Sequence, residues 1–364
     1  MHLCPYLQQP EKKHPCRTNY NTIYTDMKRI LKYSLLAASC LMAALMTSSC
    51  KGGNRKALLP NISGKAGEVL VVMEKADWES APGLVIRDSL TAECPYLPQK
   101  EPLYNLINVT PSNFTQMFQI HRNIIICRIA SDVNKPEIVF RTDKWAKPQL
   151  VISVSASSQE GAEELLKANM HKILNTIEQV ERNRIIANTR QYQERKLAEV
   201  VKTFTGGNMV FPSGYSLKKK TGDFIWISYE TTYVQQGIFI WRYPTEHTAA
   251  ELGSEALVAK RNSVLKDNVP GMRDGSYMTT SDILKPEIRY SSYGGRKFAQ
   301  MRGFWDVHGD FMGGPFVSHT FYTPDRLELI CLEAYVYAPK FDKRHYLRQV
   351  ESLLYSFEWD KNNE

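Results

Sequence analysis

Between Ser157 and Gly206 the sequence runs about 47 residues without a proline, and its apolar side chains recur at helical spacing. Ser157-Ser158-Gln159-Glu160 has the form of a capping box, and Gly206-Gly207 the form of a helix stop. Leu166, Met170, Ile173, Ile177 and Val180 make one apolar stripe; Leu197, Val200, Val201 and Phe204 make another. Between them lie Glu181-Arg182-Asn183-Arg184 and the polar stretch Asn188–Arg195. A continuous helix of this length extends about 70 Å, further than an ordinary domain is wide. The pattern predicts one long connecting helix over 157–207, bent in its polar middle, that buries one end in each of two domains.

The flanking segments fit that division. Glu68–Met73, Leu103–Val109, Asn123–Ile129 and Gln149–Val154 are short, apolar, β-branched runs that read as strands. They alternate with a helix over Asp77–Leu90 and a short one from Thr110 to Gln119, so residues 62–156 are expected as a first α/β domain. Residues 208–360 are expected as a second, α+β domain. Its strands are Tyr215–Lys218, Asp223–Glu230, Gly237–Tyr243, Arg296–Val307, Phe316–Tyr322 and Leu327–Tyr337. Thr248-Ala249-Ala250-Glu251 reads as a second capping box, and Asp342 opens a closing helix with Leu347, Val350, Leu354 and Phe357 on one face. Leu327–Tyr337 is apolar on both faces, which predicts a central strand covered on both sides. This order of elements resembles a PsbP-type α/β/α sandwich. The expected class is α+β: two sheet-containing domains joined by a long helix.

The first fifty residues have a different logic. Lys28, Arg29 and Lys32 precede Ser34–Met46, where eleven of 13 residues are Leu, Ala, Met or Cys, and Thr47-Ser48-Ser49-Cys50 follows. The apolar run reaches about 20 Å, short of the roughly 30 Å hydrocarbon core, which favours a signal peptide over a membrane span. Met27 is the expected true start, leaving 1–26 as a non-native extension and 27–49 as the signal. Cys50 after small residues resembles the bacterial lipobox, which implies an acylated N-terminus at Cys50; Cys40 would leave an apolar tail on the mature chain. Residues 50–61, with Lys51-Gly52-Gly53-Asn54-Arg55-Lys56, read as a flexible tether. Surface-exposed Bacteroidetes lipoproteins usually carry an acidic run just after the Cys, and its absence here argues for the periplasmic side; the expected anchor is the outer membrane, facing the periplasm. The lipobox leader, the Gly67–Val72 strand, the long helix and the aromatic second half together resemble a Bacteroidetes lipoprotein family, domain of unknown function 4837, over about 62–359. That resemblance implies a cell-envelope protein with no catalytic residues to carry over.

Charge narrows the function. The formal net charge is +8, but residues 1–49 carry six Lys/Arg against Glu11 and Asp26, and the remainder carries only +4. No dense basic field is left for nucleic acid. After Cys50 the thiols are Cys94, Cys127 and Cys331, enough for one disulfide at most and without a CxxC. No G-x-G-x-x-G, Walker loop or G-x-S-x-G occurs. Ser216-Leu217-Lys218-Lys219 and Lys220-Thr221-Gly222 match the S-x-x-K and K-T-G of penicillin-recognising enzymes. Sitting side by side, they cannot converge on one cleft from opposite sides and read as a hairpin turn. Asp306, His308 and His319 form the one constellation that could hold a metal or run acid–base chemistry, provided a hairpin folding at Gly313-Gly314 sets His319 across from the other two. The sequence therefore predicts a lipid-anchored, non-catalytic binding or scaffolding protein without a cofactor, whose partner is an envelope protein or small ligand. The alternative is a hydrolase or metal-dependent enzyme using the Asp306/His308/His319 region.

Overall fold

In the computed structural model, which describes residues 58–360, the β-branched runs of the first half do form a sheet. It contains β1 (Glu68–Val72), β2 (Asn105–Val109), β3 (Asn123–Ile129), β4 (Glu137–Thr142) and β5 (Leu150–Ala156), in the order β2-β1-β3-β5-β4. All pairs are parallel except β4 with β5. Alternate side chains go to opposite faces. Val69, Val71, Ile125 and Ile152 face α2 (Ala81–Leu90) and α4 (Gln159–Gln191), while Leu70, Val72, Ile124 and Val151 meet Phe114, Phe118 and Trp145. The short helices α1 (Lys75–Trp78) and α3 (Gln116–Gln119) complete this part.

The second sheet is antiparallel. After α5 (Arg195–Thr205) and the short β6 (Gly207–Asn208) come β7 (Ser216–Lys220), β8 (Phe224–Glu230) and β9 (Gln235–Pro244). Next follow α6 (Ser254–Asn268), β10 (Tyr277–Thr280), β11 (Glu287–Tyr293), β12 (Arg296–His308), β13 (Gly313–Tyr322) and β14 (Glu328–Tyr337). The chain closes with α7 (Arg344–Leu354) and β15 (Glu358–Trp359). The strand order is β10-β12-β13-β14-β9-β8-β7, with β11 also on β12. As its two apolar faces require, β14 is internal: Ile330, Leu332 and Ala334 pack with α5 and α7, and Cys331 and Tyr335 face the α6 side. The class is α+β, and from Leu59 onward the chain is one compact unit.

Two sequence expectations change. The long helix is not continuous: α4 ends at Gln191, Glu194 is extended, and α5 starts at Arg195. The three intervening residues bond to another segment instead. Glu194 N–H donates to the Phe211 carbonyl at 2.8 Å, and Ser213 N–H donates to that of Tyr192 at 3.1 Å. Within the polar middle Glu181 is completely buried. Its carboxylate accepts from Arg122 Nε and Nη2 at 2.8 Å each, from Arg184 Nη1 at 2.7 Å and from Asn123 Nδ2 at 2.7 Å. The second expected capping box also fails. α6 begins at Ser254, and Glu251 instead accepts from the Thr245 hydroxyl at 2.8 Å and from Glu246 N–H at 2.9 Å. Ser158, by contrast, caps α4 by accepting from Gly161 N–H at 3.2 Å.

Candidate functional site

The structure does not bring Asp306, His308 and His319 together. The β12–β13 hairpin sets Asp306 opposite Gly313 and His319 opposite Gln300, so His319 lies six residues along the ladder, roughly 20 Å from Asp306. His308 is exposed and stacks on Tyr277 at 5.0 Å between ring centroids. His319 is fully buried, stacks on Phe298 at 4.1 Å and lies 3.2 Å from Gln300 Nε2. Burial pushes its imidazole well below the ordinary histidine range, helped by the nearby Arg296, Arg302 and Arg182. Among the described residues no His, Cys, Asp and Glu group has the arrangement to hold a metal.

The thiols Cys94, Cys127 and Cys331 are free, and burial pushes those of Cys94 and Cys127 up to about 11 and about 12. The S-x-x-K and K-T-G residues lie on β7 and its turn, where Thr221 Oγ donates to Asp223 at 2.8 Å. Cys50, the expected lipid attachment point, lies outside the described residues, with the 1–26 extension, the 27–49 signal and most of the tether.

Another region has the geometry of a site. A cleft of about 820 Å³ opens between α4, α7 and the β11–β12 edge. Helical spacing puts Glu178 and Arg182 on one face of α4, and Arg344, Arg348 and Glu351 along one face of α7. Period two puts Gln300 and Arg302 on one face of β12.

The walls are held by charge-assisted bonds. Arg348 Nη2 donates to Glu178 at 3.1 Å, and the Tyr104 hydroxyl donates to the same carboxylate at 2.6 Å. Burial works against ionising Glu178, but Arg348 and Tyr104 outweigh it and hold its carboxyl below the usual range. Arg302 donates to Glu351, and although burial opposes its charge, that partner raises its pKa. At the centre the Arg182 guanidinium lies 3.4 Å from the Tyr355 ring centroid. Tyr355 is fixed in turn, accepting from Gln300 Nε2 at 2.9 Å and meeting Tyr293 edge-on at 5.1 Å.

Sequence reading missed this cleft because its residues come from distant segments. The usable signal was the Arg182/Glu178 pair on α4, whose charges follow the apolar stripe rather than fall on a solvated face.

Residues 194–356 match the family described as domain of unknown function DUF4837. The likeness to DUF4837 is confined to that stretch. Residues 62–190 match a different family of unknown function, DUF8532, so the DUF4837 match is narrower than the resemblance over about 62–359. The two matches part where the chain leaves α4, and the cleft takes Glu178 and Arg182 from one side of that division and Arg302, Arg348 and Tyr355 from the DUF4837 side. No curated protein matches the chain. A crystal structure at 1.50 Å of a protein from Bacteroides thetaiotaomicron VPI-5482 is similar at 12% identity with a TM-score of 0.25. The match covers 44% of this chain and 48% of that one, and carries no argument about fold or function.

Proposed function

We propose that this chain is a non-catalytic binding protein, anchored in the outer membrane by acyl chains on Cys50 and facing the periplasm, whose ligand occupies the cleft beside Tyr355. One observation carries the binding reading: residues of both family regions wall a single cleft of about 820 Å³ with side chains already fixed by ion pairs. Such preorganisation lowers the entropy lost on binding. The groups there also suit recognition better than nucleophilic catalysis. Burial raises the Cys94 thiol that lines the cleft to about 11, which keeps it from acting as a thiolate nucleophile near neutrality. The anchoring reading is supported by the basic start, short apolar run and small residues before Cys50. We also read the two sheets as separate domains, the second PsbP-type. Helices on both faces of the larger sheet, and the division of the family matches between 190 and 194, support that reading.

Native mass spectrometry of protein extracted from its own envelope tests the cleft. A bound small molecule should appear with the wild type and be absent from Asn175→Trp, which fills the cleft from an exposed position on α4. Equal retention by both, or none by either, sinks the cleft reading. Detergent partitioning tests the anchor: Cys50→Ser should lose its acyl mass and Cys40→Ser should keep it.

A further inference from the structure

Within the cleft the cations are not equally answered. Arg348 has Glu178, Arg302 has Glu351, and Arg289 has Glu287 at 2.6 Å. Arg344 lies beside Glu101, which lowers the net charge there. Arg182 has no such partner: among the described residues it makes no ion pair or hydrogen bond, and its only contacts of this kind are the faces of Tyr355 and Tyr293. With its carbon over the Tyr355 ring, the planar guanidinium carries its five N–H groups around the rim of that contact, where two of them can match two oxygens of one anion. The ring is held by Gln300 and Tyr293, so the surface on which the guanidinium rests is fixed before anything binds. Arg302 stands in the same field. Its charge and that of Arg182 both act on Tyr355 and on buried His319, and only Nη2 of Arg302 is engaged.

We infer that Arg182 and Arg302 form an oxyanion subsite above Tyr355, and that the ligand of the cleft presents a phosphate or carboxylate group to it. This rests on the cleft reading above. The anion takes a bidentate pair from Arg182 and a further donor from Arg302, while the Tyr290–Tyr293 edge accommodates the rest of the ligand. Glu178, four residues before Arg182 on α4, is already committed to Arg348 and Tyr104, which leaves Arg182 free for an incoming anion.

The test is calorimetric titration of the full-length protein in detergent with three probes. These are inorganic phosphate, acetate, and a water-soluble short-chain phosphatidic acid. At least one should bind saturably and weaken as salt is raised. Binding of free phosphate or acetate indicates a soluble anion, and binding of the short-chain phosphatidic acid alone indicates a lipid headgroup. Arg182→Met should weaken binding at least tenfold, and Arg182→Lys should retain part of it. Gln179→Glu, an exposed neighbour in the cleft, should weaken it at least threefold by placing a fixed carboxylate beside Arg182. Failure of all three probes overturns the inference, as does wild-type affinity in a folded Arg182→Met or Gln179→Glu variant. If the probes fail but Asn175→Trp still loses the co-purified molecule, the cleft reading stands and only the oxyanion subsite falls.

Discussion

Arg261 and Glu333 face each other with both side chains completely excluded from solvent, Nε and Nη2 of the guanidinium each donating to a carboxylate oxygen at 2.8 Å. The pair joins α6 to the middle of β14, and the guanidinium also lies 3.8 Å from the Phe316 ring centroid. Removing one partner leaves a buried charge unanswered. Arg261→Met should therefore cost about 3–5 kcal/mol in urea unfolding. Arg261→Met with Glu333→Leu should recover much of that loss, and a double variant no better than the single one would contradict this account.

Glu101 caps a helix that begins some 240 residues later. Its carboxylate accepts from Lys343 N–H at 2.6 Å and Arg344 N–H at 3.0 Å, at the buried start of α7. Glu101→Ala should cost about 1–2 kcal/mol. Hydrogen exchange should report it locally, with the first turn of α7 losing protection and the β1–β3–β5 sheet keeping it.

Stability should fall on acidification from about pH 6.5 toward about pH 4. His345 is lowered to about 4, and His319 and His121 are lowered as well, burial being the first cause in each. The unfolded chain takes up these protons first, so the stability present above the unfolded value is lost as pH falls toward the folded values. Around His319 the charged groups are Arg296 and Arg302 from β12 and Arg182 from α4, all opposing its protonation. Tm measured between pH 7.5 and 4.5 should decline, and His319→Gln should flatten the slope. A level Tm across that range would remove the argument.

Gly237 sits in register with Tyr335, whose ring lies over it. A Cβ there would fall 2.0 Å from Tyr335 Cε1, and the ring cannot retreat because it stacks on Phe239 at 4.6 Å. Gly237→Ala should be destabilising by about 3 kcal/mol, as overpacking is. Adding Tyr335→Leu should restore part of it, measured as the shift in urea midpoint.

What the sequence reveals here depends on how far apart the interacting residues are. β14 and the three inner strands of the first sheet are legible because burial on both faces leaves a continuous apolar run. β4 and β11 are not, because an edge strand has polar, exposed positions that resemble a loop. The break after Gln191 has neither Gly nor Pro to mark it; its cause is the segment at Phe211–Ser213, which supplies competing backbone bonds. Asp306, His308 and His319 share a face as expected, and one unforeseen fact, a turn placed between His308 and Gly313, separates them. Arg182 meets a ring 173 positions further on, and Glu181 is satisfied from 59 positions earlier. No local pattern records such pairings.

The cap on α7 also imposes an order in time. Glu101 leaves the ribosome long before Lys343 and Arg344 exist, so it cannot make these two bonds until the 243 residues after it have been made. Only when the final helix arrives does the segment carrying Glu101 gain its partner. A chain that stops short of residue 344 thus leaves the Glu101 carboxylate without the two backbone donors that fold it in.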